Sequence, residues 1–297
     1  MLADWVKNSG KTPSLIFVTH GHGDHYFGAG PTLSAFPQAK LAVLDSRTVA
    51  QAADQLTPET LQLWDAWFGG QYDREPAMPT VLTSGGDVEI EGHPVHMRTV
   101  GGADGGYEGS IVHVPEISTI CSGDVVYNNI HMWLYDSTPE TRATWLASID
   151  AIAAMEPRTI VCGHSDPDAP DNDAQRCIAQ SRAYIMDFGR AVETSRSRSE
   201  LMDTMMAKYS SYGNAYTLFA AADRISWVTS SGWVISERWP ESISTVVAFM
   251  RLARKRSSSG EVVRSRREMA YQDGFDRQAA AVVLSRNSDS ETRPCTA

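Results

Sequence analysis

The sequence contains few cysteines, no long apolar segment and fewer basic than acidic residues. Its four cysteines form no CxxC pair and no dense framework, which predicts free thiols in a reducing, cytoplasmic compartment. No run of about 18 apolar residues exists, so we expect no membrane-spanning helix and no membrane partner. The first eleven residues lack an apolar signal core. A formal net charge of −10 argues against nucleic-acid binding, which needs an electropositive face.

The length and composition fit an ordinary globular protein. Of 297 residues, 42% are hydrophobic and 21% are charged, which excludes whole-chain disorder. Strand-like and helix-like segments alternate over residues 1–222, which predicts one α/β domain. Residues 223–297 lose this pattern and become basic and rich in Ser and Arg towards their end. We therefore predict an atypical, partly disordered C-terminal extension over 223–297.

The first buried strand, at residues 15–19, leads directly into a cluster of polar side chains. The segment is His20-Gly-His22-Gly-Asp24-His25, with three imidazoles and one carboxylate in six positions. These are ligands that divalent zinc and iron prefer. Glycines between them allow the tight backbone that convergence requires. A metal site is favoured over the alternative, a solvated histidine-rich turn.

Two later residues occupy equivalent positions at strand ends. Asp124 follows an apolar strand that ends in Cys121-Ser-Gly, and His164 follows another that ends in Val161-Cys-Gly. Either residue alone could be part of a turn. Since ligands gather at the carboxyl ends of strands in α/β proteins, three such clusters together predict one metal site.

These motifs, in this order and at these gaps, resemble the metallo-β-lactamase-fold hydrolases. The resemblance covers roughly residues 3–215 and implies a four-layer αβ/βα sandwich with a metal pair at one edge. It implies that His20 and His22 hold a first metal and that Asp24, His25 and His164 hold a second. Asp124 would bridge the two.

The resemblance also implies a function, namely metal-dependent hydrolysis of a small molecule with an activated acyl bond, such as a lactam, lactone or thioester. Metal-bound hydroxide would attack the carbonyl, and Asp24 would act catalytically by orienting that nucleophile. Zinc is the expected metal, although iron and manganese suit the same ligands. Tyr127 and His131 follow the bridging aspartate and are predicted to bind substrate, with aromatic core packing as the alternative for Tyr127.

The sequence departs from the family pattern where another histidine of the first metal site is expected. Gly102 occupies that position and offers no ligand atom. Asp104 is the nearest substitute, and we interpret it as a turn residue. The pattern therefore predicts one firmly bound metal at the second site and weak or no occupancy at the first. The alternative function is a degenerate, non-catalytic member that binds at most one metal.

A second departure concerns the first sheet. Only residues 1–14 precede the strand that leads to His20, where the family has several strands. We expect an incomplete first sheet, so that either the chain is truncated or another segment fills the space. Residues 225–235, a predicted hairpin, are the candidate filler. The oligomeric state stays open.

Overall fold

A computed structural model describes residues 2–135, 137–225, 227–228, 234–235 and 281–287. The disorder predicted for the C-terminal extension concerns residues that, apart from the short strands, lie outside this described part. Within it, no helix is both long enough and apolar enough to cross a membrane.

The described part contains eight α-helices and eleven β-strands. The helices are α1 (Leu2–Asn8), α2 (Gly30–Ala35), α3 (Ser46–Asp54), α4 (Pro58–Phe68), α5 (Pro139–Ala153), α6 (Ala174–Thr194), α7 (Arg198–Lys208) and α8 (Ala215–Arg224). The strands are β1 (Lys11–Val18), β2 (Lys40–Val43), β3 (Thr80–Val81), β4 (Asp87–Ile90), β5 (His93–Gly102), β6 (Glu108–Val114), β7 (Thr119–Gly123), β8 (Thr159–Cys162), β9 (Trp227–Val228), β10 (Val234–Ile235) and β11 (Ala281–Asn287).

The first sheet has four strands in the order β11-β1-β2-β3. Strand β1 runs parallel to β2 and antiparallel to β11, with Val18 opposite Ala281 and Lys11 opposite Asn287. Because β11 covers the edge of β1, this strand from the C-terminal extension fills the space beside the short first sheet.

Residues 225–235, the filler predicted from the sequence, are not the segment that completes the sheet. Their strands β9 and β10 pair with each other in an antiparallel, two-stranded sheet. A hairpin-like pairing is therefore present, but the prediction that this segment extends the first sheet is wrong.

The second sheet has five strands in sequential order from β4 to β8. Neighbours are antiparallel except β7 and β8, which run parallel. Their parallel direction brings the ends of both strands, Gly123 and Cys162, to the same edge of the sheet.

Alternating side chains on β1 separate two apolar cores. Ile16 and Val18 pack with Trp64 of α4 in a core that covers the outer face of the first sheet. Phe17 points to the other face and belongs to a core between the sheets that includes Val112 of β6. This period of two is the expected behaviour of a strand that is buried on both faces.

The outer face of the second sheet is covered by the later helices. Ile111 and Ile120 pack with Trp145 and Ile149 of α5 and with Phe188 of α6 in the largest core. The order is therefore helices, sheet, sheet, helices, which is the predicted four-layer αβ/βα sandwich. A capping threonine followed by proline starts two of these helices, at Pro58 and Pro139.

Candidate metal centre

The histidine loop begins where β1 ends. The backbone N–H of Ser110 on β6 donates to the carbonyl of Thr19 at 3.0 Å, which fastens the start of the loop to the second sheet. A Cβ on Gly21 would lie 2.5 Å from the Cβ of Gln51, and one on Gly23 would lie 2.6 Å from the ring of Phe27. Both positions therefore require glycine, because the loop is pressed against neighbouring helices.

Asp124 and His164 reach the same place from β7 and β8. The backbone N–H of Gly163 donates to the carbonyl of Gly123 at 2.9 Å, which holds the two strand ends together. Gly123 has φ +50, and a Cβ there would lie 2.5 Å from the hydroxyl of Thr19. This close approach joins the ends of both sheets at one edge.

One group of side chains corresponds to the predicted second metal site. Oδ2 of Asp124 lies 3.0 Å from Nε2 of His164 and 3.3 Å from Nε2 of His25. Oδ2 of Asp24 lies 3.4 Å from Nε2 of His164 and 3.6 Å from Nε2 of His25. All four predicted residues are thus brought together around one point.

A second group corresponds to the predicted first metal site. Nε2 of His20 lies 3.1 Å from Nδ1 of His22 and 3.9 Å from Oδ2 of Asp124. Asp124 therefore faces both groups, which is the position expected of a bridging carboxylate.

Asp104 joins this group, which corrects our interpretation of it as only a turn residue. It does begin a short 3-10 turn, Asp104–Gly106, but its side chain is buried at 2% exposure. Its Oδ2 lies 3.1 Å from Nδ1 of His22, and its Oδ1 lies 3.5 Å from Nε2 of His20. The sequence did contain a signal for this position, because Asp104 is followed by two glycines, and such a pair permits a sharp reversal of the chain.

The residues present fit a divalent metal centre. Three sets of ligand atoms each lie within 4.8 Å of one another: His20, His22 and Asp104; His20, His25 and Asp124; Asp24, His25 and His164. Several of their buried atoms have no hydrogen-bond partner among the described residues, including both ring nitrogens of His25 and Oδ1 of Asp124. Buried polar atoms without a partner are costly, and a bound cation would satisfy them.

Without a metal, the proximity of these groups perturbs their pKa values strongly. Burial lowers the pKa of His22 and His164, but the nearby carboxylates of Asp104 and Asp124 outweigh it and raise both to about 9. Burial, together with repulsion from Asp124, raises the pKa of Asp104 to about 6. Burial holds the pKa of His20 well below its ordinary value. At pH 7, His22 and His164 are therefore protonated, and their positive charges offset part of the negative charge of the carboxylates beside them.

Tyr127 and His131, which we predicted to bind substrate, lie in different surroundings. The Tyr127 hydroxyl donates to Oδ2 of Asp124 at 3.1 Å, and its ring stacks on His164. Tyr127 is thus at the site, as a partner of the shared carboxylate. His131 is fully buried and shares a 2.8 Å hydrogen bond with the hydroxyl of Tyr184 in α6. It packs in the aromatic core, and the structure does not bring it to the metal ligands.

The architecture and the ligand sets define a class of protein: a four-layer sandwich whose metal centre lies at the edge shared by its two sheets. The sequence model of the metallo-beta-lactamase superfamily matches residues 3–164, more than half of the chain. The chain therefore belongs to the metallo-beta-lactamase superfamily.

One solved structure supports the fold alone. A beta-lactamase domain protein from Burkholderia ambifaria is 16% identical with a TM-score of 0.50, and the match covers 73% of each chain. A metallo-beta-lactamase family protein from Thermus thermophilus is also 16% identical, with a TM-score of 0.48 over 70% of this chain and 71% of that chain. No curated protein matches the sequence.

Proposed function

We propose that this chain is a metal-dependent hydrolase of a small molecule with an activated acyl bond, such as a lactam, lactone or thioester. One observation carries the proposal. Oδ2 of Asp124 lies 3.0 to 3.9 Å from a ring nitrogen of each of three histidines, His164, His25 and His20. A carboxylate shared between two histidine groups is suited to bridge two metal ions, the arrangement used for metal-assisted hydrolysis.

Zinc is the proposed metal, and the group of Asp24, His25 and His164 is its firmer site. The shared carboxylate of Asp124 lies closer to His164 and His25 than to His20, which favours this order. When bound, the metal would lower the pKa of a coordinated water to near neutrality and polarise the acyl carbonyl.

Asp24 is the proposed catalytic residue of the chain itself. Its side chain is 26% exposed, whereas that of Asp124 is 1% exposed. Asp24 therefore lies where the centre opens to solvent, and its carboxylate can accept a hydrogen bond from the attacking water and orient it. Asp124 is enclosed and would hold the metals, while Tyr127 fixes the direction of that carboxylate.

A non-catalytic role has less support than hydrolysis. The two departures that favour it are the missing ligand at Gly102 and the short first sheet. The carboxylate of Asp104 faces His20 and His22 of the predicted first metal site, and β11 pairs with β1 in the first sheet. Asp104 therefore offers a carboxylate beside the two histidines, and β11 occupies the free edge of β1, which supports hydrolysis over the non-catalytic alternative.

The remaining expectations concern partners and surroundings. His22, Asp24 and His164 are the partly exposed members of the centre, which favours access by a small molecule. The acidic net charge disfavours nucleic acid as a partner. Cys121, Cys162 and Cys177 are free thiols, which supports the proposed reducing, cytoplasmic compartment.

The test is a substrate panel containing nitrocefin, an acyl-homoserine lactone and an acyl thioester, assayed with added zinc or manganese. We expect turnover of at least one class by the wild type, and loss of turnover on chelation and in Asp124→Asn. Asp87→Asn is the matched control, because this exposed aspartate pairs with Arg98 on β5, outside the metal ligands. Absence of turnover over the whole panel, in a folded and metal-loaded protein, would favour the non-catalytic alternative.

A further inference from the structure

The backbone at Gly102 leaves no space for a side chain that could serve as a ligand. A Cβ on Gly102 would lie 2.6 Å from Oγ1 of Thr144 and 3.1 Å from its Cβ. Since α5 occupies this space, a histidine at position 102 would require the helix to move. A third ligand for the first metal must therefore come from another residue.

The turn that follows Gly102 is built around His22. Gly105 and Gly106 have φ of +57 and +74, and a Cβ on Gly105 would lie 2.9 Å from Nε2 of His22. The backbone N–H of Tyr107 closes the turn by donating to the carbonyl of Asp104 at 3.0 Å. The Tyr107 ring then packs on the His22 ring at 4.5 Å between centroids. These contacts fix Asp104 beside His22.

The two oxygens of the Asp104 carboxylate differ in their surroundings, since Oδ2 shares a hydrogen bond with Nδ1 of His22, 3.1 Å away. The carboxylate is buried, and its Oδ1 accepts no hydrogen bond from the described residues. In the described part of the chain, the ion-pair partners of Asp24, Asp104 and Asp124 are histidines alone. Asp104 and Asp124 are both buried in the same centre, and two buried carboxylates are costly unless positive charge lies beside them, which a bound cation would supply.

We propose that Asp104 is the third protein ligand of the first metal ion, which rests on the proposed metal-dependent function. Each metal is then held by two imidazoles and one carboxylate of its own, with Asp124 shared between them. The first ion is held by His20, His22 and Asp104, and the second by Asp24, His25 and His164. Because carboxylate oxygens suit manganese better than imidazole nitrogens do, the first site accepts manganese as well as zinc.

The experiment counts bound metal and is independent of any substrate. Metal-free wild type and Asp104→Asn are titrated with zinc and, separately, with manganese, and bound metal is measured by mass spectrometry after gel filtration. Cobalt absorption spectra report the ligand field of each site as it fills. We expect two ions per chain in the wild type, filling in two steps. In Asp104→Asn we expect the second-site ion to remain and the first-site affinity to fall about 100-fold.

The matched control and the second variant keep the result interpretable. Asp87→Asn, the same substitution outside the centre, should bind two ions as the wild type does. Retention of the second-site ion shows that Asp104→Asn is folded, and Asp104→Ser replaces it if circular dichroism shows otherwise. If neither variant folds, the wild-type count decides, because one ion per chain in the wild type overturns the proposal.

Two further outcomes overturn it. If Asp104 only orients His22, the asparagine amide preserves that hydrogen bond and first-site affinity stays within threefold of the wild type. Loss of both ions from a folded variant would show that Asp104 does not serve the first site specifically. Two bound ions without any turnover would contradict the proposed hydrolase function but leave the role of Asp104 intact. Turnover with one bound ion would support the hydrolase function and overturn the role of Asp104.

Discussion

The substitution Gly163→Ala tests whether the close packing around Asp124 controls metal binding. A Cβ at position 163 would lie 2.1 Å from Oδ1 of Asp124 and 3.1 Å from Cε1 of His25. Real Cβ contacts are not found below 3.0 Å, so the carboxylate must move by about 1 Å in Gly163→Ala. Gly163 does not have a positive φ, so the substitution adds this steric effect without backbone strain.

The displacement is large compared with the tolerance of a metal site. Metal–ligand distances are held to within about 0.2 Å, and disturbing a supporting contact costs about 10- to 100-fold in affinity. Because Asp124 faces both groups of ligands, we expect Gly163→Ala to lower the affinity for each of the two ions by about 100-fold, or about 2.7 kcal/mol. Overpacking should also lower the free energy of unfolding of the metal-free protein by about 1 to 3 kcal/mol.

The assay is a competition between the protein and a zinc-binding dye, combined with urea unfolding of the metal-free protein. Gly28→Ala is the matched control, because a Cβ at Gly28 meets no atom within 4 Å. It should bind metal as the wild type does. Gly163→Ala with both affinities within threefold of the wild type would refute the inference that Asp124 is held in place by the absence of a side chain at position 163.

Three further predictions follow from other contacts. Since the pKa values of His22 and His164 are about 9 without metal, both side chains carry a proton at pH 7. Metal binding should release these protons, so the affinity for metal should rise with pH up to about 9. Calorimetry in buffers of different ionisation enthalpy measures this proton release, and a heat of metal binding that is the same in every buffer would contradict the prediction. Tyr127→Phe removes the 3.1 Å hydrogen bond to Asp124 and should lower turnover about tenfold while metal stays bound; loss of metal would contradict this positioning role. Truncation before Ala281 exposes the edge of β1 and should cause self-association on gel filtration, whereas a monomeric, folded product would refute the importance of that pairing.

The sequence predicted the residues whose positions follow from local pattern. His20, His22, Asp24 and His25 form one contiguous motif, and Asp124 and His164 each follow a recognisable strand. Parallel strands place such ends together, so convergence could be inferred without coordinates. The four-layer order followed from the family that these motifs resemble.

Other features depended on contacts that no local pattern contains. The role of Asp104 depends on how Gly105 and Gly106 turn the chain against His22, and the glycines alone indicate a turn without its direction. The partner of β1 is far away in sequence, and its apolar run was hidden in a segment rich in Ser and Arg. His131 resembled a pocket residue in the sequence because it follows Asp124, but its burial against Tyr184 is set by packing of α6.

The pairing of β1 with β11 has a consequence for the order of events during synthesis. Val18, which leads into the histidine loop, lies opposite Ala281, so its strand acquires its outer neighbour only after the long intervening segment has been synthesised. Pairings between such distant segments are slow to form because a long loop must close first. The histidine loop is translated long before β11, so the sheet that supports it is completed late. Stable metal uptake is therefore expected to follow the synthesis and docking of β11.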